Sequence, residues 1–197
     1  ASNEALRKRL EEQLGKWADF TASSQPEESS SGTEIIISPG TETRTGYALF
    51  YHALSLAQRN TSESNRQAES RLSWIAANMP LHPFRDRSIL EMAKLQIADR
   101  RKDTAIATLT KIENSSGLPG IRQESARLLA RLHFEGGAFT SASSAFLRAH
   151  RSLPAGEGDI CALNAGISLL RAGDKTSFRG LLQALDPLEV RNTLLLE

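Results

Sequence analysis

The sequence predicts an all-α fold of stacked antiparallel helical hairpins. Three observations carry this. Apolar residues recur at helical spacing through most of the chain. A small or apolar position returns in steps of 37, 37 and 36 residues. Helical runs stop at glycine or proline. Ala and Leu dominate the apolar set, which favours helix over strand. With 197 residues, the chain is long enough for one sizeable core or a short array of repeats.

In chain order, residues 1–22 read as an N-terminal helix. Leu6, Leu10, Leu14 and Trp17 form one apolar stripe, and Arg7, Lys8, Arg9, Glu11, Glu12 and Lys16 lie mostly on other faces. The stripe docks on the rest of the chain or pairs with a second copy of itself. Fewer than three heptads favour intrachain docking. Residues 23–45 read as a Ser-rich linker holding a short extended segment. It carries Pro26 and Gly32, and the β-branched run Ile35, Ile36, Ile37 is stopped by Pro39-Gly40.

The array covers residues 46–187, with helices expected at 46–59, 63–78, 86–100, 103–113, 121–135, 139–152, 159–171 and 176–185. Residues 188–197 form a tail or begin a further helix. Pro80, Pro83, Gly117, Pro119, Pro154 and Pro187 mark stops, because proline lacks the donor and glycine loses the most backbone entropy. Aligning the second helix of each hairpin places Ala68, Ala105, Ala142 and Phe178 in register. Leu72 and Ile75, Leu109 and Ile112, Phe146 and Ala149, and Leu182 and Leu185 follow four and seven residues later. A two-helix unit repeating every thirty-odd residues marks a solenoid, since a single hairpin buries too little to stand alone.

Residues 135–154 carry a resemblance to the tetratricopeptide repeat (TPR) family. Gly137 fits the turn glycine and Phe139 the aromatic after it. Ala142, Phe146, Ala149 and Pro154 follow the family's spacing, with Ala130 at the small position of the first helix and Gly166 and Gly173 matching in the last repeat. The resemblance covers roughly residues 46–187 and implies a right-handed superhelix, a divergent TPR-like α-solenoid. The period exceeds the family's usual ~34 residues. The first turn carries about three extra residues near 60–65, and it and the turn at Arg100-Arg101-Lys102-Asp103 lack glycine. Phe178 is large where the family has alanine.

No constellation for chemistry emerges. His52, His82, His133 and His150 fall in no metal-binding spacing, and His133 reads as a packed helix residue. Gly136-Gly137 lacks the Lys-Ser/Thr of a phosphate loop, and Gly166-Ile167-Ser168 lacks the second glycine of a nucleophile elbow. Cys161 sits in an apolar run and reads as a packed small hydrophobe. No enzyme, metal or cofactor is expected. A net charge of +1 argues against a nucleic-acid partner, and no run is long enough to enter a membrane.

In TPR-like arrays the first helices of the hairpins line a concave, partner-binding surface. The resemblance places Arg87, Lys94, Arg127, Arg131 and Phe134 on that surface in the middle repeats. Tyr47, Phe50, Ile167, Leu170 and Arg171 take it in the outer ones. A basic stripe between apolar ends suits an acidic segment or a C-terminal carboxylate. The plainer reading of these cations is solvated helix surface. The Lys/Asn set of chaperone-binding TPR domains does not match, with only Asn164 in place. The expected function is a non-catalytic protein–protein interaction scaffold binding a protein or peptide partner. The alternatives are an oligomerisation domain, a homodimer through the N-terminal helix, and a regulatory domain of a larger protein. Ala1-Ser2 and Leu196-Glu197 resemble vector-derived ends. A bacterial origin is expected, with a periplasmic location slightly favoured over the cytoplasm; a single cysteine is compatible with both.

Overall fold

A computed structural model of the chain describes residues 39–153 and 156–185. Every described element is a helix: α1 (Pro39–Ala57), α2 (Ser62–Asn78), α3 (Arg85–Ala98), α4 (Lys102–Ser115), α5 (Pro119–Glu135), α6 (Phe139–Ser152), α7 (Glu157–Ala172) and α8 (Lys175–Ala184). The expected N-terminal helix, the 35–37 extended run, Pro154, Pro187 and the 188–197 tail lie outside the described residues. The chain divides into two compact units at 101/102, the first holding α1–α3 and the second α4–α8. Within each unit consecutive helices pack on one another.

Seven of the helices fall within two residues of the sequence expectation at their starts, and α6 matches at both ends. The largest departure is α1, which begins at Pro39 rather than at 46. Pro39-Gly40, expected to stop an extended run, form its first turn. Pro119, expected as a stop, likewise opens α5. Proline breaks a helix only where an N–H is needed, and the first turn needs none.

Four turns between consecutive helices share one backbone conformation. Asn60, Arg100, Gly137 and Gly173 have φ of 51°, 60°, 76° and 73°. They lie 40, 37 and 36 residues apart, and each precedes the next helix by two residues. The last three turns close identically. Arg101 N–H donates to Gln96 O and Arg100 N–H to Ile97 O; Ala138 and Gly137 repeat this on His133 and Phe134, and Asp174 and Gly173 on Leu169 and Leu170. The left-handed residue ends the helix while its last carbonyls keep partners. Two turns without glycine thus reach the same geometry through Asn60, a tolerated type, and Arg100, which bears the Cβ penalty. Arg100 is exposed. Arg100→Gly is expected to stabilise the protein by about 0.5–1 kcal/mol, the conformational relief less the added entropy of the unfolded chain. Urea unfolding checks this; an unchanged or lower midpoint contradicts it.

Small residues sit where helices cross. Ala53, Ala93, Ala130, Ala68, Ala105 and Ala142 are fully buried, and Gly166 is buried too. Leu72, Ile75, Leu109, Ile112 and Ala149 fill the adjoining core. Alanine at a crossing lets helix axes approach to about 8–10 Å. In α8 Phe178 is only half-buried, and Leu181 is the buried residue instead. His133 also departs from expectation. It is half-buried, while its neighbour Leu132 takes the core position.

The first unit is fastened by His82, which is 8% exposed. Phe84 N–H donates to its Nδ1 at 3.0 Å, so its Nε2 carries the proton and donates to Thr43 O at 3.1 Å. Gly46 lies against the same ring; a Cβ there would come within 2.3 Å of Nε2. Farther along, Arg101 grips both carboxylate oxygens of Glu69, which also accepts from Gln96. Asn65 donates to Asp99.

Candidate peptide-binding site

In α5 the residues Ser125, Ala126, Leu129 and Ala130 are buried, which leaves Arg127, Leu128 and Arg131 to another face. In α7 Glu157, Ile160, Cys161 and Asn164 follow the spacing that puts side chains on one face. These seven, with Phe146 of α6, line a cavity of about 290 Å³. Leu128, Phe146, Ile160 and Cys161 supply its apolar surface. Ile160 is 61% exposed, unusual for a large aliphatic residue in a packed helical unit.

The rim is charged. Arg127 Nη1 lies 3.4 Å from Glu157 Oε2, with both side chains more than half exposed. Arg131 Nε lies 3.4 Å from Glu135 Oε1, and Lys102 reaches the other oxygen of Glu135 at 4.0 Å. Long, solvated pairs of this kind are worth about 0–1 kcal/mol each, so they exchange readily. Burial pushes the Cys161 thiol up, the nearby Arg127 charge pulls it down and Glu157 raises it. Burial leads, so the neutral thiol is favoured, and the group packs as a small apolar residue. Asn164 is half-buried on the cavity wall.

Phe134 and Arg171 meet at a second point on the same helices. The Arg171 guanidinium stands 5.9 Å from the Phe134 ring centre, and Phe139 packs edge-on against that ring at 5.4 Å. A cation over an aromatic face is attracted by the ring quadrupole.

The structure therefore joins Arg127 with Arg131 and Phe134 with Arg171. In the first unit Arg87 and Lys94 both turn onto Glu91, at 3.3 and 3.2 Å. These two cations are held by their own helix instead of standing as a free basic stripe. Phe50 is a correction to the expected inward set, because at 4% exposure it belongs to the core of the first unit. Tyr47 is half-buried between His82 and Phe84, and Ile167 and Leu170 are half-buried on α7. The reading of individual residues missed Leu128, Phe146, Glu157 and Ile160. The 157, 160, 161, 164 spacing was the available signal for the α7 wall. The position of Glu91, four residues after Arg87 and three before Lys94, was the signal for their pairing.

Among the described residues no cluster of three or more His, Cys, Asp or Glu is placed to hold a metal ion, and no helix is long and apolar enough to cross a membrane. Comparison with protein-family models, with curated proteins and with solved structures gives no match to this chain.

Proposed function

We propose that this chain is a non-catalytic interaction module, a TPR-like array of helical hairpins that binds a peptide or partner protein against α5 and α7. The carrying observation is the cavity between the first helices of two successive hairpins, with an apolar floor, a cationic rim and Ile160 exposed at its mouth. The recurring left-handed turns and fully buried alanines support the reading as an array of helical hairpins; a right-handed superhelix is what the TPR resemblance implies for such an array. An apolar pocket with a few convergent polar groups is the usual form of a recognition site, and successive first helices offer the length an extended peptide needs.

The test is panning of a displayed random dodecapeptide library on the immobilised chain, repeated with Ile160→Asp. Ile160 is largely in solvent, so the substitution spares the core. Selected peptides are expected to bind the variant at least about tenfold more weakly, the loss that ~1.4 kcal/mol represents. Peptides that bind Ile160→Asp and Leu128→Asp as well as the parent place recognition elsewhere.

A further inference from the structure

We infer that Glu157 is a built-in competitor for Arg127, displaced when the cavity takes a peptide that carries an aliphatic side chain beside a carboxylate. This rests on the peptide-binding reading above and names the chemistry of its ligand.

The charges on this face are unequal. Lys102, Arg127, Arg131 and Arg171 stand against two carboxylates, Glu135 and Glu157, so a ligand carboxylate reduces the positive excess. The two carboxylates hold their cations differently. Glu135 lies on α5 itself, one turn from Arg131, and also reaches Lys102; it is not part of the cavity wall. Glu157 comes from α7, across the cavity from Arg127, and both line it. Its contact is 3.4 Å long and its side chain is 63% exposed, so other rotamers lie open to it in solvent. It is the first residue of α7, where the helix dipole favours a negative charge wherever that side chain turns.

This arrangement makes recognition depend on two features at once. Replacing one carboxylate on Arg127 by another is close to neutral, so an acidic group alone gains little. An aliphatic side chain gains by burial against Leu128, Phe146, Ile160 and Cys161. Its neighbour on the peptide must then suit the rim. A carboxylate takes over Arg127 as Glu157 leaves, whereas a cation meets Arg127 and Arg131 and is repelled. Glu157 thus excludes small anions from the site while admitting peptides that also fill the cavity.

The probes are peptides selected from the random dodecapeptide library, measured by fluorescence anisotropy on the whole chain. They are expected to carry an aliphatic residue next to Asp or Glu. Glu157→Gln should tighten their binding about two- to fivefold, whereas Arg127→Gln alone should change it little, because the pair that is broken and the pair that replaces it vanish together. In the Arg127→Gln background, Glu157→Gln should have no effect, because no pair remains to be broken. Equal tightening in both backgrounds would reduce Glu157 to a long-range charge and overturn the inference. So would selection of basic peptides, or no tightening. Peptides that respond to Ile160→Asp but not to Glu157→Gln sink this inference alone; a library that yields no binder sinks the peptide-binding reading with it.

Discussion

Gly46→Ala is expected to destabilise the first unit by about 2 kcal/mol or more, although alanine is the better helix former. Propensity favours the change by about 1 kcal/mol. Against it stands a methyl group 2.3 Å from the His82 ring. The ring has nowhere easy to go, since Phe84 N–H and Thr43 O hold its two nitrogens. Moving it costs both hydrogen bonds, roughly 0.5–1.5 kcal/mol each, plus the strain of an overfilled site, roughly 1–3 kcal/mol. Trp74 lies in α2 of the first unit, and no tryptophan follows it in the sequence, so its fluorescence during urea unfolding reports the unit concerned. A midpoint equal to or above the parent's contradicts the clash. His82→Ala in the same chain should recover part of the loss caused by Gly46→Ala, because it removes the obstructing ring.

Leu109→Ala is expected to cost about 2–5 kcal/mol, the range for deleting a fully buried leucine side chain. Leu109 has no measurable exposure, and it follows Ala105 by one turn in α4 with Ile112 beyond it. The second unit contains no tryptophan, so helical circular dichroism during urea unfolding is the appropriate measure. A loss below about 1 kcal/mol would mean that the α4–α5 packing collapses around the vacancy. Ala105→Gly in the same helix separates the causes. It lowers propensity by about 1 kcal/mol while removing only one buried methyl group.

Much of the helical plan was readable in the residues, for a definite reason. Ala68, Ala105 and Ala142 recur because close helix crossings tolerate little else, and a constraint of that kind leaves a period in the sequence. Turn chemistry was less legible. Asn60 and Arg100 adopt the conformation that Gly137 and Gly173 take; asparagine is a weak signal for it and arginine is none. Pro39 and Pro119 misled because proline ends one helix and opens another with equal ease. The candidate site was legible in part. Arg127 and Arg131 follow from register alone. The cavity beside them depends on side chains from three helices, and Glu157 reaches Arg127 across 30 residues of chain. Pairing at that distance leaves no local spacing to detect. Arg87 and Lys94 show the opposite case, since Glu91 is close by in sequence and pairs with both within a single helix.

The ties that hold the two units have a common reach. Arg148 grips Glu113 across 35 residues, Asn65 meets Asp99 across 34, Glu69 meets Arg101 across 32 and His82 meets Thr43 across 39. Each reach is close to one repeat. Closing a loop of that length costs little more than closing a shorter one, because the penalty grows only with the logarithm of length. In linear arrays order can start at any hairpin and spread to its neighbour. The spacing that aligns the alanines therefore also limits how far any segment must search for its partner.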